Sequence, residues 1–217
     1  MRIIAFGDIH MEYAGIENIT GLSKADLVIV TGDFTNFGGK EDASTVLDAI
    51  QRINPKIYAV LGNMDQASVG DYLDELGINI HGKGIVLGDL GIFGVGGSNY
   101  TPFNTPTEFS EEELWDIVNK AYQYVTKAPI KVLISHTPPF NTTTDRIGSG
   151  IHAGSTAIRK FIEEKQPDFC FTGHIHESRG EDRIGRTVIL NPGMLKDSGW
   201  IEFNRQDDDG SYIARLN

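Results

Sequence analysis

The sequence predicts an α/β fold with a parallel or mixed sheet, and three features support this prediction. Short apolar runs, such as residues 27–30, alternate along the chain with segments of helical spacing, such as residues 42–53. The apolar runs have no polar interruptions, which is typical of strands that are covered on both faces of a sheet. The apolar pattern of the last part of the chain predicts strands and no helix. We therefore expect a second sheet to pack beside the first.

The periodicity of apolar residues predicts each element in chain order. The predicted strands are 3–6, 27–30, 57–61, 85–87, 91–95, 131–134, 169–171, 187–190, 200–203 and 212–214. The predicted helices are 42–53, 66–76, 111–125 and 155–165. The third helix has the clearest start, because Ser110 stands at the N-cap position and Glu113 follows at the spacing of a capping box. The acidic run 207–210 predicts a turn between the last two strands.

Length, composition and charge limit the classes of protein to which the chain belongs. The 217 residues, of which 40% are hydrophobic, predict a single domain spanning 1–217. The one cysteine, Cys170, excludes an internal disulfide framework. The net charge of −11 argues against bulk attraction to nucleic acid or to an anionic membrane. No apolar run is long enough to span a bilayer and no signal-peptide core precedes Gly7, so we expect a cytoplasmic protein.

Polar residues that can act as metal ligands follow the ends of five predicted strands. They are Asp8, His10, Asp33, Asn63, His136, His174 and His176. Because ligands bind at the carboxyl edge of the strands in open α/β sheets, we expect these side chains to converge. Imidazole, carboxylate and amide donors suit divalent ions such as Mn, Fe, Zn or Ni, and we take Mn as the first choice. Seven donors are too many for one tetrahedral ion and suit two.

Five motifs that contain these residues occur in a fixed order. They are Asp8-Ile9-His10, Gly32-Asp33-Phe34-Thr35-Asn36, Gly62-Asn63-Met64-Asp65, Ser135-His136-Thr137 and Gly173-His174-Ile175-His176-Glu177. This set resembles the calcineurin-like metallophosphoesterase superfamily. The segments Thr137-Pro138-Pro139, Gly154-Ser155 and Asn191-Pro192-Gly193 resemble its Icc-related phosphoesterase branch. The resemblance implies a four-layer α/β/β/α sandwich, in which two mixed sheets are flanked by helices.

The resemblance also implies the roles of the individual residues. Asp8, His10 and His176 would hold a first metal, Asn63, His136 and His174 would hold a second, and Asp33 would bridge both. Two such cations would activate a water that attacks the phosphorus of a small-molecule phosphoester. We therefore predict a two-metal phosphoester hydrolase, with Asp33 and Asn63 as catalytic residues and phosphodiesters of small nucleotides or cyclic nucleotides as substrates. The alternative is a catalytically weak scaffold or binding protein with the metallophosphoesterase fold; a homo-oligomer is compatible with either.

One position departs from the pattern of the superfamily. Many relatives have a histidine after the Gly-Asn pair that assists the leaving group, whereas this chain has Met64. A thioether has no proton to donate. Asp65 could supply a carboxyl group instead, or it could cap the helix that follows. We therefore expect phosphodiesters with good leaving groups to be cleaved best.

The loop from residue 137 to residue 154 offers two further candidates. It has little regular pattern, and loops of this length are often functional. Arg146 is a candidate substrate-binding residue, because a guanidinium can fork onto phosphate oxygens. His152 is a candidate for substrate binding and for general acid catalysis. The alternative is that Arg146 pairs with a surface carboxylate and that His152 lies in a flexible loop.

Three remaining features have simpler interpretations. The glycine-rich segment 94–99 predicts a tight turn, although Asn99 at its end could line a base or aryl pocket. His81 is predicted to lie in an exposed turn. Cys170 alternates with two phenylalanines in a strand and is predicted to be a core residue.

Overall fold

A computed structural model of the protein describes residues 1–206 and 208–217. The first strands are β1 (Arg2–Phe6), β2 (Leu27–Val30), β3 (Ile57–Ala59), β4 (Gly84–Leu87), β5 (Leu90–Val95), β6 (Ser98–Asn99) and β7 (Glu108–Phe109). The later strands are β8 (Ile130–Ser135), β9 (Phe169–Phe171), β10 (Gly180–Ile184), β11 (Thr187–Asn191), β12 (Ile201–Arg205) and β13 (Tyr212–Leu216). The α-helices are α1 (Lys40–Ile53), α2 (Ala67–Glu75), α3 (Glu111–Tyr122) and α4 (Thr156–Lys165).

Two mixed sheets make up the centre of the molecule. The first has the strand order β13-β12-β1-β2-β3, in which β1, β2 and β3 are parallel and the two C-terminal strands are antiparallel. The second has the order β10-β11-β9-β8-β5-β4, in which the four inner strands are parallel and the two edge strands are antiparallel. The predicted pair of mixed sheets is therefore confirmed.

The alternation of side chains along each strand generates four layers. In β1, Ile4 and Phe6 pack with α1 and α2, whereas Ile3 and Ala5 face the second sheet. On the second sheet, Phe93 packs with α3 and α4. Both sheets are thus apolar on both faces, as their uninterrupted apolar runs predict. The α/β/β/α sandwich implied by the resemblance is confirmed.

Local differences from the predicted elements have physical causes. The capping box at Ser110 is confirmed, because its hydroxyl accepts the Glu113 N–H at 3.2 Å and Glu113 accepts the Ser110 N–H at 2.8 Å. Strand β10 was not predicted, because it is a polar edge strand that pairs on one side only. In the predicted turn 207–210, Asp207 lies outside the described residues, and residues 208 and 209 are in a turn.

The register of the parallel strands brings their carboxyl ends together. Phe6 pairs with Val30, and Val30 pairs with Ala59 in the first sheet. Ile134 pairs with Phe171 at the corresponding end of the second sheet. The loops that leave these ends carry the predicted ligands. In the described ranges, no helix combines the length and apolarity needed to cross a membrane.

Candidate metal centre

Four side chains converge at the edge where the parallel strands end. One ligand atom from each of Asp8, His10, Asp33 and His176 lies within 4.8 Å of the others. The Nε2 atoms of His10 and His176 are 3.1 Å apart, and His176 Nε2 is also 3.1 Å from Asp8 Oδ1. A single hydrogen atom cannot bond His10 Nε2, His176 Nε2 and Asp8 Oδ1 to one another at the same time. A divalent cation accepts such a set of convergent nitrogen and oxygen lone pairs, so the cluster fits a metal ion.

A second set of donors lies beside the first. His136 Nε2 is 3.0 Å from Asn63 Oδ1 and 3.4 Å from Asp33 Oδ2. The same Asp33 oxygen is 3.6 Å from His10 Nε2. The His174 ring lies 5.3 Å from the His136 ring, measured between centroids. The Asp33 carboxylate therefore lies between the two sets of donors, where a bridging ligand belongs.

Hydrogen bonds to the opposite ring nitrogens set the tautomers of two histidines. His136 Nδ1 donates to the carbonyl oxygen of Thr31 at 2.8 Å. His10 Nδ1 donates to Asn36 Oδ1 at 3.0 Å, and the Asn36 amide returns a hydrogen bond to the His10 carbonyl at 2.9 Å. In both neutral rings the lone pair is then on Nε2, which faces the cluster. Asn36 was missed as a supporting residue, although it lies in the same motif as Asp33.

Burial and charge shift the protonation of the centre. Burial opposes the charged form of Asp33, but His136 and His10 lower the pKa of its carboxyl group below the ordinary range. Burial likewise opposes the charge of His136, yet Asp33 raises the pKa of this ring. Removal from solvent lowers the pKa of His174 to about 4, which leaves a neutral imidazole with a free lone pair. The ionised Asp33 and the neutral His174 suit a metal site, whereas His136 would lose its proton on binding a cation.

The ligands themselves occupy an unusual backbone conformation. Asp8, His10, Asp33 and His174 have φ values of 48°, 50°, 52° and 68°. Residues other than glycine seldom adopt this left-handed region, and each instance costs about 1–3 kcal/mol. Cross-links between loops hold the strained turns, because the N–H groups of Ile9 and His10 both donate to the Asp33 carbonyl, at 2.8 and 3.0 Å. The fold thus supports strain at the predicted metal ligands.

Two glycines permit the close approach of these turns. Gly32 has a φ of 110°, and a Cβ atom there would lie 2.6 Å from His136 Nδ1 and 2.8 Å from the Gly62 Cα. A Cβ atom on Gly62 would fall on the Asp33 carboxylate. Neither position has room for a side chain. The glycines in these motifs are therefore needed to place Asp33 against His136.

Of the two roles considered for Asp65, the helix cap is wrong. The N-cap of α2 is Gln66, and Asp65 is fully buried. Its carboxylate accepts the N–H groups of Gly62 and Thr35 at 2.8 and 2.9 Å, so it fastens the turn after β3 to the turn after β2. Burial, assisted by the charge of Asp33, raises the pKa of Asp65 to about 7. Asp65 is not on the cavity wall, whereas Met64 is.

A cavity of about 1040 Å³ opens directly over the centre. Its floor carries the predicted ligands His10, Asp33, Asn63, His174 and His176. Its outer walls come from residues 99–103, 105, 147–149 and 152–154. Tyr100 and Phe103 on these walls are 68% and 76% exposed. The cavity is much larger than a phosphate group, so it has room for an apolar or aromatic substituent.

The loop candidates have different positions. His152 lines the cavity, and its Nδ1 lies 2.6 Å from Asp145 Oδ1. Asn99 also lines the cavity, but its amide already donates to the Ala153 carbonyl at 3.1 Å and accepts from Thr137. Arg146 is exposed and does not line the cavity, and within the described residues it forms no ion pair. His152 does not lie in an unstructured loop, since it forms a β-bridge with Arg146.

The prediction that His81 lies in an exposed turn is wrong. Its Nδ1 accepts the Gly96 N–H at 2.9 Å, and its ring stacks on Phe109 at 5.6 Å between centroids. Removal from solvent lowers the pKa of His81 to about 4. His81 is therefore a neutral structural residue. Cys170 is fully buried, as predicted.

Comparisons with known proteins agree with this geometry. The family model described as calcineurin-like phosphoesterase matches residues 1–178. An uncharacterized protein of Methanocaldococcus jannaschii is 40% identical over 174 residues, which cover 77% of this chain and 77% of that protein. A UPF0046 protein of Caenorhabditis elegans is 27% identical over 227 residues, which cover 93% of this chain and 72% of that protein.

Two solved structures share the fold at low sequence identity. A dimetal phosphatase from Danio rerio has a TM-score of 0.67 at 9% identity, covering 100% of this chain and 95% of that one. The TT1561 protein of Thermus thermophilus has a TM-score of 0.71 at 16% identity, covering 99% of this chain and 97% of that one. At these identities the likeness concerns the sandwich of two sheets.

Proposed function

The chain belongs to the calcineurin-like phosphoesterase family, and on that premise we propose that it hydrolyses phosphodiesters of small molecules with two divalent cations. Metal-dependent phosphoesterase chemistry is supported by the family and by the cluster of Asp8, His10, Asp33 and His176. The observation that carries the two-metal proposal is the Asp33 oxygen that lies 3.6 Å from His10 Nε2 and 3.4 Å from His136 Nε2.

The donor set fits two ions that share Asp33. In the proposal, Asp8, His10 and His176 complete one site, and Asn63, His136 and His174 complete the other. Asn63 is oriented for this role, because its amide nitrogen donates to Thr105 Oγ1 at 2.9 Å and its oxygen lies toward His136. When bound, such cations activate water and offset the charge of a phosphoryl group. Imidazole and carboxylate donors are compatible with Mn, Fe, Zn or Ni, and Mn is our first choice.

The cavity supports a substrate with a bulky apolar substituent. Its volume of about 1040 Å³ and the wall of Tyr100 and Phe103 can accept an aryl group or a nucleoside base. The net charge of −11 disfavours a long polyanion such as a nucleic acid strand. We therefore propose small nucleotides and cyclic nucleotides as the substrate class. We favour a role of Asn99 in positioning the neighbouring loop over a role in substrate recognition. Its side-chain amide is already hydrogen-bonded to Ala153 and Thr137.

A comparison of two chromogenic esters tests the proposal. Metal-stripped protein is reloaded with Mn²⁺, and kcat/KM is measured for bis(p-nitrophenyl) phosphate and for p-nitrophenyl phosphate. We expect at least about tenfold preference for the diester, because the cavity has room for a second aryl group. Equal or greater turnover of the monoester would contradict the diester preference. Bound Mn²⁺ with turnover of neither ester would favour the scaffold alternative.

A further inference from the structure

We propose that His152 and Asp145 form a pair that protonates the leaving group. Met64 cannot fill this role, because its thioether has no proton to donate. The inference rests on the proposed hydrolysis of phosphodiesters. It adds to it a second catalytic element, which lies on the loop between β8 and α4 and outside the metal-binding motifs.

The backbone of the loop fixes the carboxylate of Asp145. Asp145 is fully buried, and it accepts the N–H groups of Asn141, Thr142 and Gly154 at 3.0, 2.9 and 3.1 Å. The fourth donor is His152 Nδ1 at 2.6 Å, the short distance typical of a charge-assisted hydrogen bond. A carboxylate held by three backbone donors cannot turn away from the ring. The position of His152 is therefore set by a rigid partner.

The hydrogen bond also determines which ring nitrogen can act. Because a carboxylate only accepts, His152 donates from Nδ1, and the proton to be transferred is on Nε2. Within the part of the chain that the structure describes, Nε2 has no hydrogen-bond partner. The ring lines the same cavity as His10 and Asn63, and the Phe140 ring packs against it at 5.8 Å between centroids. A carboxylate in this position orients the imidazole.

A chain of contacts ties the pair to the metal centre. Thr137 directly follows the ligand His136 and donates from Oγ1 to Asn99 Oδ1 at 2.8 Å. The Asn99 amide donates to the carbonyl of Ala153, the neighbour of His152, at 3.1 Å. The Ala153 N–H donates to the Asp145 carbonyl at 2.9 Å. His152 is thus held at a defined place relative to the end of β8.

The proposed step conserves atoms and charge. The oxygen of water forms a bond to phosphorus and gives up one proton to solvent, and the bond between phosphorus and the leaving oxygen breaks. The leaving oxygen takes the electron pair of that bond and the proton from His152 Nε2. Asp145 takes no part in the proton transfer, and the ring regains a proton from solvent before the next turnover.

A series of methyl aryl phosphodiesters tests the pair, because loss of a general acid slows poor leaving groups most. For His152→Ala loaded with Mn²⁺, we expect kcat to fall by about 100-fold with a phenol leaving group and by less than about threefold with p-nitrophenol. Metal content should be unchanged. The control is Ile151→Ala, since Ile151 is adjacent, 62% exposed and off the cavity wall. We expect Ile151→Ala to match the wild type with every ester.

Two further readouts test Asp145 as a positioning residue. Asp145→Asn should show the same dependence on leaving group as His152→Ala to a smaller extent, because the neutral amide no longer holds the ring in the orientation that donates the proton. In the metal-free wild type, an NMR spectrum should show a bonded Nδ1–H resonance of His152, which is lost in His152→Ala and displaced in Asp145→Asn. An equal change in kcat with every leaving group in Asp145→Asn, or no such resonance in the wild type, would overturn the role of Asp145.

Failure of this inference is distinguishable from failure of the proposed function. If the wild type is active and kcat of His152→Ala falls by the same factor with every leaving group, proton donation by His152 is overturned. The proposed function is then unaffected. A wild type that binds Mn²⁺ and cleaves no phosphodiester would overturn the proposed function, and the catalytic role of the pair with it.

Discussion

The floor and the outer wall of the cavity are built in contrasting ways. On the floor, Asp33 is buried, adopts a φ of 52° and lies against glycines that leave no space for a side chain. On the outer wall, Tyr100 and Phe103 are 68% and 76% exposed. The floor is specified by hydrogen bonds and close backbone contacts, whereas the wall presents apolar surface to solvent.

This difference indicates a division of tasks. Metal ligands must be held within a few tenths of an ångström, so backbone strain is tolerated where cross-links between loops support it. Side chains that select a substrate need mainly apolar area and shape, so they can stand on exposed loops. Substitutions on the floor should therefore abolish metal binding or chemistry, whereas substitutions on the wall should change substrate affinity.

The largest effect is expected for Asp33→Asn on the floor. Loss of the bridging carboxylate should reduce Mn²⁺-dependent turnover by about 1000-fold or more and lower the number of bound ions per chain. The control is Asp74→Asn, because Asp74 is an exposed carboxylate that pairs with Lys83. Elemental analysis and kcat/KM for the diester give the two measurements. If Asp33→Asn binds as much metal as the wild type and turns over at the wild-type rate, the proposed bridging role of Asp33 is wrong.

The next effect is expected for Gly62→Ala, which adds one methyl group beside Asp33. Because the new Cβ would fall on the Asp33 carboxylate, the free energy of unfolding should drop by about 2 kcal/mol and Mn²⁺ affinity by about tenfold or more. Gly180→Ala is the matched control, since its nearest neighbour would be the Ser178 carbonyl at 3.9 Å. Urea denaturation and calorimetric titration measure the two quantities. A neutral Gly62→Ala would show that the turn is not tightly packed.

A smaller effect is expected when the wall is changed by Tyr100→Ala and Phe103→Ala. Each should raise KM for bis(p-nitrophenyl) phosphate by about three- to tenfold with little change in kcat, because apolar contact is lost while the metal centre is intact. Tyr124→Ala is the control, since Tyr124 is 53% exposed and lies outside the cavity. A fall in kcat at constant KM would contradict the division between floor and wall.

The smallest effect on catalysis is expected for His81, which does not line the cavity and should change only the pH dependence of stability. Its folded-state pKa of about 4 is below the ordinary histidine pKa of 6.5, so the unfolded chain binds the proton more readily. The free energy of unfolding should therefore decrease as pH falls from about 6.5 toward 4, by roughly 1–3 kcal/mol from this group. His81→Asn should lose less stability than the wild type between pH 7 and pH 5 in urea denaturation. An equal loss would show that His81 does not contribute.

The sequence by itself determined that the sheets are covered on both faces, and it grouped the candidate metal ligands. Uninterrupted apolar strands indicate sheets covered on both faces, and the ends of parallel strands must meet at one edge, so residues such as Asp8 and His174 could be grouped without a structure. Both inferences depend on local periodicity. The capping box at Ser110 was predictable for the same reason, because its two partners are three residues apart.

Only the tertiary structure decided which groups support that site. Asp65 binds Thr35 across 30 residues, and Asn36 binds His10 across 26 residues, so no local pattern reveals either contact. The left-handed conformation of Asp33 is likewise imposed by hydrogen bonds from another loop. His152 acquires a buried carboxylate partner only when the loop folds over Asp145. Short-range spacing encodes elements and motifs, but burial and hydrogen bonding between distant loops determine what each polar side chain does.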